Sequence, residues 1–389
     1  MDFSLSPTQQ EIQQHARLAA EQVVAPQARA SDEHGVFRRD VIDELARRGF
    51  LGLPLPARFG GGGADTLAMS LVYEELGRID SSVRGFLAVH VGLVSQCLLD
   101  WGSPDQQARW LPLLARGEAL GCYCLTEPEA GSDAAGITTR ARWDGAAWTL
   151  EGVKHWITNG DVADLALVFA STDPEQRSRG ITAFLVPTDA PGFERRPMPG
   201  RELGHRASDH AYIALRNVRV GPDAVLGTPG AGFKVAMAAL DHGRLGVAAG
   251  AVGVLQACLD ACVGHARRRR QFGKRIGDFE MIQALLADMA ADAAAARLLT
   301  RHAAWLRDQG QANTQAVSMA KLFATEAACR AADQAVLLHG AGGYSNESPV
   351  ERYYRDIKGL QIYEGTSHIQ RIIIARSLLG KDDGSGSSG

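Results

Sequence analysis

A carboxylate, Glu364, lies in the short segment Ile362-Tyr363-Glu364-Gly365-Thr366, between two stretches with helical patterns. Ser348-Pro349-Val350-Glu351 predicts the start of the first helix, with serine as its N-cap, and Ser367 predicts the N-cap of the second. A carboxylate held rigidly beside apolar groups can act as a general base. From this segment alone, a solvated loop glutamate is the simpler interpretation.

Two charged stretches are the other candidates for chemistry. His265 to Arg275 is the one dense basic run. Alone it is typical of a solvated helix end, with nucleic-acid contact as a weaker alternative. Asp241 and Arg244 stand one helical turn apart, a spacing that suits an ion pair within a helix. The six cysteines lack the paired CxxC spacing of a zinc site, so we expect no metal and buried, reduced thiols.

The chain predicts an α+β fold that is mainly helical, in three consecutive parts. Residues 1–120 are expected to form an N-terminal helical domain. Residues 121–230 have the pattern of short strands and turns, which favours an antiparallel barrel or sandwich. Residues 231–380 predict a C-terminal four-helix bundle, and residues 384–389 resemble a flexible expression tag.

Local patterns support this division. Ser6 and Ser103 predict capping boxes at two helix starts. Strands are expected at Thr138–Trp143, Trp148–Leu150, Leu165–Ala170, Ile181–Pro187 and Ala211–Val220. Apolar residues at helical spacing predict two stripes in the bundle, Met281, Ile282, Leu285, Leu286 and Met289 in one, and Met319, Leu322, Phe323 and Ala327 in the other.

Composition argues against several classes of protein. The chain has 389 residues, 46% of them hydrophobic, and a formal net charge of −3. This balance does not indicate nucleic acid or an anionic membrane as a partner. No apolar run reaches the ~18 residues of a membrane span, and the first residues do not have a secretory signal pattern. We therefore expect a cytoplasmic protein.

Several motifs in one register resemble the C-terminal signature of the acyl-CoA dehydrogenases, FAD enzymes that oxidise acyl thioesters to 2,3-enoyl thioesters. They are Gly342-Gly343-Tyr344, Pro349-Val350-Glu351-Arg352, Arg355-Asp356, Ile362-Tyr363-Glu364-Gly365-Thr366 and Ile369-Gln370-Arg371. Tyr123 to Asp133 resembles the other signature of the family, and Trp156-Ile157-Thr158 resembles the segment beside the flavin ring. The resemblance covers nearly the whole chain apart from the tail.

The resemblance implies a set of ligand contacts. Thr126 and Thr158 would bond the flavin edge, and Trp156 would pack near its face. Arg269, in the R-x-x-F-G pattern, would reach the FAD pyrophosphate of a neighbouring subunit. The implied FAD contacts are Tyr123, Leu125, Thr126, Gly131, Ser132, Trp156, Ile157, Thr158, Arg269, Phe272, Gln283, Gly340 and Thr366. The implied thioester contacts are Ser132, Asp241, Arg244, Tyr363 and Gly365.

The resemblance also implies a mechanism. Glu364 would remove the pro-R α-proton while the β-hydrogen leaves as hydride to flavin N5. The Glu364 backbone N–H and a ribityl hydroxyl would polarise the thioester carbonyl. In isovaleryl-type members the base is a glutamate at the position of Gly243, so Glu364 is the only matched base here.

Two positions depart from the family's Q-x-x-G-G pattern. Leu337 takes the place of the glutamine and Ala341 that of the second glycine. A leucine cannot donate to a phosphate or a ribose, so we expect a weaker contact with FAD across the subunit interface.

We therefore expect an FAD-dependent dehydrogenase of a short or branched acyl thioester. It would act as a homotetramer and pass its electrons to an electron-transfer flavoprotein. The enzyme alternatives are a dehydrogenase of carrier-protein-bound acyl groups and an acyl-thioester oxidase that uses O₂. The non-enzyme alternative is a degenerate helical interaction protein, which the retention of Glu364, Arg269 and both flavin signatures argues against.

Overall fold

The computed structural model describes residues 4–380, which form a helical part, a sheet and a second helical part in that order. The predicted tail at 384–389 lies outside the described residues. The helices of the first part are α1 (Pro7–Ala19), α2 (Ala25–His34), α3 (Arg39–Arg47), α4 (Thr66–Ile79), α5 (Ser81–Leu87), α6 (Gln96–Trp101) and α7 (Pro104–Arg116). Ser6 and Ser103 form the predicted capping boxes of α1 and α7.

The strands of the middle part are β1 (Gly121–Cys124), β2 (Arg140–Trp143), β3 (Trp148–Thr158), β4 (Leu165–Ser171), β5 (Ile181–Pro187), β6 (Phe193–Pro197), β7 (His210–Val220) and β8 (Val225–Leu226). They include every predicted strand, and β2 and β3 form the predicted antiparallel hairpin. The order of helical part, sheet and helical part is confirmed.

The sheet is mixed rather than purely antiparallel, and it does not form the closed barrel that was one of the two expected forms. Its strand order is β6-β7-β3-β2-β4-β5-β8, with β1 beside β4, and no closed barrel is found in residues 4–380. Both β1 and β2 pair with β4 in parallel. The edge strand β6 has exposed charged side chains and ends at Pro197, which lacks an N–H, so this edge is protected against further pairing.

The second helical part contains α8 (Gly232–Arg268), α9 (Glu280–Asp308), α10 (Thr314–His339), α11 (Val350–Ile362) and α12 (Ser367–Leu379). A short hairpin of β9 (Arg270–Gln271) and β10 (Lys274–Arg275) follows α8. Helix α10 packs against each of α8, α9 and α11, which together form the predicted bundle, and α12 adds a fifth helix.

The two predicted apolar stripes of the bundle are only partly buried. Met289 and Ala327 lie in the core as predicted, whereas Met281 is 86% exposed and Met319, Leu322 and Phe323 are only partly buried. The fully buried face of α10 is formed mainly by alanines, among them Ala320, Ala324, Ala327, Ala328, Ala331 and Ala335. Alanine side chains let the long helices approach closely, so most of the larger side chains of the stripes lie at the edge of the bundle or at its surface.

Two helical stretches, Ser81–Trp101 and Gly232–Arg268, are long and apolar enough to span a membrane, contrary to the expectation from the sequence. In each of them, 72% of the most apolar window is buried inside the protein, as in the core helices of soluble folds. All six cysteines are free, and five of them are buried, as predicted.

Candidate active site

The loop that carries Glu364 connects α11 to α12, as predicted. Glu364 has a φ of 55° and Gly365 a φ of 89°, so two consecutive residues adopt the left-handed conformation. The side chain of Thr366 accepts a hydrogen bond from the Ile369 N–H and caps α12, one residue earlier than the Ser367 cap that the sequence predicts. The predicted capping box at Ser348 is also absent from the described structure, where α11 begins at Val350 after Pro349.

A row of glycines on α8 makes room for the Glu364 side chain. A Cβ atom added at Gly243 would lie 1.7 Å from Glu364 Oε2, so the carboxylate occupies the space of the missing side chain. Gly246 and Gly250 continue the same helix face. Gly246 lies under the ring of Tyr73, and a Cβ at Gly250 would lie 2.8 Å from Arg84 Nε. The three glycines therefore allow the side chains of Glu364, Tyr73 and Arg84 to pack directly against α8.

The Glu364 carboxyl is buried, and its pKa is raised to about 7. Burial is the main cause, because it disfavours the charged form, and the nearby cations Arg84, Lys321 and Arg244 oppose it. Oε2 has no hydrogen-bond partner among the described residues. Within residues 4–380 the Glu364 backbone N–H has no acceptor either. The loop thus presents a proton acceptor and a hydrogen-bond donor that the protein leaves free.

The neighbouring predicted thioester contacts converge on the same loop. Arg244 Nη1 lies 2.6 Å from Asp241 Oδ1, and Arg244 Nε donates to the Glu364 carbonyl at 3.4 Å. Asp241 Oδ2 accepts a second bond from Thr314 at 2.8 Å. The hydroxyl of Tyr363 accepts a short hydrogen bond from Arg84. Asp241 and Arg244 therefore form the expected ion pair, and Arg244 also holds the base loop.

A cavity of about 280 Å³ lies along the next turn of α8. Tyr73, Val91, Leu245 and Gly246 form its apolar wall. Its polar lining includes Asp65, Gln96, His242, Arg307 and Asp308. The cavity therefore combines an apolar surface near the base with a polar surface farther along the helix.

The second group of predicted residues lies where β1 and β3 end. Between Lys154 and Ile157 the register of β3 against β7 shifts, and at this bulge Trp156 has a φ of 56°. The Thr126 carbonyl accepts a bond from the His155 N–H at 2.9 Å, which ties the loop after β1 to the bulge. The Trp156 side chain is 53% exposed, so it is not the buried core tryptophan that a strand position ordinarily predicts.

A buried ion pair fixes this loop. Lys154 Nζ lies 2.8 Å from Glu127 Oε1 and 3.2 Å from the Leu125 carbonyl. Glu127 also accepts bonds from Thr138 and Thr139. Burial alone would raise the pKa of Glu127, but the Lys154 charge and these bonds hold it at about 2. These bonds therefore fix the start of the loop after β1, at Leu125 and Glu127.

The residues of this loop and bulge fit a planar cofactor with polar edges. The hydroxyls of Thr126, Ser132 and Thr158 have no hydrogen-bond partner among the described residues. The exposed Trp156 ring is two residues from Thr158 and next to His155, whose N–H bonds the Thr126 carbonyl. Leu125 and Ile157 are 6% and 1% exposed, and the Tyr123 hydroxyl donates to the Ala236 carbonyl. These three could contact a ligand chiefly through their backbone, because their side chains belong to the core.

Comparison with known proteins decides the family. The acyl-CoA dehydrogenase N-terminal domain matches residues 6–118, the middle domain residues 122–218 and the C-terminal domain residues 230–379. The chain belongs to the acyl-CoA dehydrogenase family. It is 41% identical over 380 residues to the probable acyl-CoA dehydrogenase YngJ of Bacillus subtilis, which covers 97% of this chain and 100% of that protein.

Two further relatives support the assignment to the acyl-CoA dehydrogenases. The mitochondrial short-chain specific acyl-CoA dehydrogenase of Rattus norvegicus is 41% identical over 375 residues, or 96% of this chain and 91% of that protein. The structure of butyryl-CoA dehydrogenase from Megasphaera elsdenii superposes with a TM-score of 0.96 at 38% identity, covering 98% of this chain and 100% of that one.

The remaining predicted cofactor residues of this acyl-CoA dehydrogenase lie at the far end of the bundle. Arg269 caps α8, Phe272 is 93% exposed at the β9–β10 turn, and Gln283 bonds the Gly277 carbonyl near the start of α9. Gly340 ends α10, close to this group, since the rings of His265 and His339 lie 4.3 Å apart. The structure therefore separates these four residues from the base loop and groups them at one end.

Three polar residues near the base escape prediction from the sequence. Arg84 is 1% exposed on α5, and Lys321 and Gln370 are fully buried. A single charge inside the apolar pattern of a buried helix is the signal that could have identified Arg84 and Lys321. Gln370 belongs to the Ile369-Gln370-Arg371 motif, but the sequence does not show that its side chain turns back to the base loop.

Proposed function

We propose that this acyl-CoA dehydrogenase takes FAD as its cofactor and oxidises a short acyl thioester to the 2,3-enoyl thioester, passing the electrons to an electron-transfer flavoprotein. The observation that carries this proposal is the state of Glu364, a buried carboxylate above Gly243 whose Oε2 is unpaired among the described residues. An ordinary structural glutamate at this depth would have a partner.

Glu364 accepts the α-proton of the thioester at its free carboxylate oxygen. A pKa near 7 makes this carboxylate a stronger base than an exposed glutamate and still leaves much of it ionised at neutral pH. The Glu364 N–H donates to the carbonyl oxygen, where negative charge develops as the proton leaves. When bound, FAD supplies the acceptor for the hydride that leaves the β-carbon.

Two groups of residues would hold the cofactor. In the first, Thr126, Ser132 and Thr158 would bond its polar edges, Trp156 would pack near the ring, and Thr366 with backbone groups of Tyr123, Leu125, Gly131 and Ile157 would complete that side. The second group would be Arg269, Phe272, Gln283 and Gly340 at the far end of the bundle. The thioester enters along the cavity on α8, with its polar arm against Arg307 and His242. We infer domain boundaries near residues 120 and 230, with the ring and the base at the junction of the sheet and the bundle.

The first experiment tests the identity of the cofactor and the reaction on the same sample. We expect the purified protein to be yellow, to release FAD on denaturation and to lose its visible flavin band on anaerobic mixing with butyryl-CoA. A released FMN, a colourless protein or an unchanged band with a graded series of acyl-CoA thioesters would each contradict the proposal.

We further propose that the protein is a homotetramer in the cytoplasm, in which one subunit completes the FAD site of another. Arg269 lies roughly 39 Å along α8 from Gly243, at 1.5 Å per residue, which is farther than FAD is long. Within the described residues the Arg269 side chain has no hydrogen-bond or ion-pair partner. Large apolar side chains on the bundle are exposed in the single chain, namely Phe272, Met281, Leu298, Trp305 and Leu337, which a subunit interface would cover.

We expect Arg269→Ala to weaken FAD binding roughly 10- to 100-fold, because it removes charge-assisted bonds to a pyrophosphate. The free FAD released on dilution, followed by fluorescence, measures this loss. Arg267→Ala, an exposed arginine of the same basic run, is the matched control and should retain FAD. Equal retention of FAD by both variants, or a flavin-loaded monomer in sedimentation, would contradict the shared site.

A second candidate substrate class is a short acyl thioester with an anionic group at its far end. Arg84 is buried, its Nε is unpaired among the described residues, and none of their carboxylates lies within 4.0 Å of it. A buried guanidinium without a carboxylate in direct contact is costly, so a ligand anion there is stabilised strongly. Because Arg84 bonds Tyr363, the residue before the base, such an anion would lie a few bonds from the α-carbon.

A further inference from the structure

The carbonyls of the base loop are saturated by protein donors. The Glu364 carbonyl accepts from Arg244 Nε and from Gln370 Nε2 at 3.4 and 3.3 Å. The Gly365 carbonyl accepts from Lys321 Nζ at 2.7 Å and from Gln370 Nε2 at 2.8 Å. These bonds hold both carbonyls in place, while the Glu364 N–H and Oε2 have no partner among the described residues.

Lys321 is the unusual member of this set. It is 0% exposed in the middle of α10, on a face formed mainly by alanines such as Ala320 and Ala324, and it is the only charged residue among the buried ones of that helix. Burial lowers the pKa of Lys321 to about 8, although the Glu364 charge opposes this shift. A neutral donor such as the amide of Gln370 can bond a carbonyl without this cost, so the positive charge itself needs an explanation.

We propose that Lys321 is a positioning residue for the base: it fixes the left-handed turn at Glu364 and Gly365 through the Gly365 carbonyl and keeps a cation behind the carboxylate. This role rests on the proposed function of Glu364. The left-handed conformation is unfavourable for glutamate, so it persists only because the surrounding bonds hold it. Lys321 does not contact the thioester in this arrangement and acts only through the loop.

The charged and titratable groups around the pair determine the expected sign. Glu364 faces Arg84 from α5, Arg244 from α8 and Lys321 from α10, with the hydroxyls of Tyr73, Tyr123 and Tyr363 on its other sides. Lys321 in turn faces Arg244 and Glu326. Removing the Lys321 cation removes one of the three charges that favour ionised Glu364, so the pKa of Glu364 rises and the base is lost at a higher pH.

The test compares Lys321→Met, Lys321→Gln and the control Lys358→Met, an exposed lysine bonded to Gln361, in the flavin-loaded enzyme. Anaerobic flavin reduction by butyryl-CoA is followed from pH 5.5 to 9, with FAD content and thermal unfolding measured on the same samples. We expect the acid limb of the rate profile to move up by about one pH unit in both Lys321 variants. At a pH on the acid side of the profile, flavin reduction in these variants is then roughly tenfold slower than in the wild type.

The two variants separate the bond from the charge. Lys321→Gln keeps a donor for the Gly365 carbonyl, so its plateau rate at high pH should exceed that of Lys321→Met. An unchanged acid limb in a variant that retains FAD overturns the proposal. So does loss of FAD or of the folded state in both variants, which makes Lys321 a residue of the core only. A Glu364→Gln enzyme as fast as the wild type contradicts the proposed function itself, and this positioning role with it.

Discussion

Replacing Glu364 by glutamine is expected to lower the rate of flavin reduction by an acyl-CoA by more than the ~10²–10⁴-fold that general bases ordinarily contribute. The loss is larger because no neighbouring side chain can accept the proton in place of Glu364. Gly243 has no side chain, Tyr363 is buried with a raised pKa, the Arg84 guanidinium does not accept a proton, and Lys321 Nζ is committed to the Gly365 carbonyl. In the wild type, the rate at low substrate should rise with pH through about 7 as Glu364 ionises.

Glutamine has the size of glutamate and keeps the loop, so FAD content and thermal stability should be unchanged in this variant. The measurement is stopped-flow bleaching of the flavin band under anaerobic conditions. Bleaching within a factor of ten of the wild-type rate would exclude Glu364 as the base.

The second large effect is expected in substrate selectivity. If Arg84 binds a distal anion, the wild type prefers glutaryl-CoA to butyryl-CoA, and Arg84→Met reverses this preference. The ratio of the two kcat/KM values should fall roughly 10²-fold or more, because a buried charge pair loses one partner. The ratio is the correct readout, since losing the Arg84 charge also raises the pKa of Glu364 and slows both substrates alike.

Arg84→Lys serves as the comparison, because it keeps the charge and loses the fork of donors, and it should lie between the wild type and Arg84→Met. A wild type that favours butyryl-CoA, with a ratio that Arg84→Met does not alter, would leave a purely apolar short acyl chain as the substrate.

The base loop could be predicted from the sequence because its signals are local. Helical patterns on both sides and a permissive Gly365 place Glu364 between two helices, and each predicted N-cap differs from the observed one by one residue. The hairpin of β2 and β3 is equally local. The burial of Glu364 could not be predicted, because it depends on Gly243, which is distant in the chain and has no side chain that could indicate a contact.

Packing between distant elements explains the other differences. Periodicity predicts which residues share a helix face, but whether large or small residues fill the core depends on how closely helices approach. In α10 the face rich in alanine packs into the core, and Phe323 is only partly buried at the edge of that core. Similarly, alternation predicts strands, whereas closure of a sheet depends on its edges, and the charges and Pro197 of β6 prevent pairing there.

The close contact between Gly243 and the Glu364 carboxylate makes the two positions interdependent in evolution. A side chain gained at 243 first would displace the Glu364 carboxylate from its place, since even a Cβ would lie 1.7 Å from Oε2. A smaller residue gained at 364 first would abolish the base. A descendant of this enzyme that carried its carboxylate on α8 would therefore have to pass through an intermediate whose base is either displaced or missing. Neither substitution can be judged on its own, and a scan of single mutants would record both positions as invariant although the pair can exchange roles.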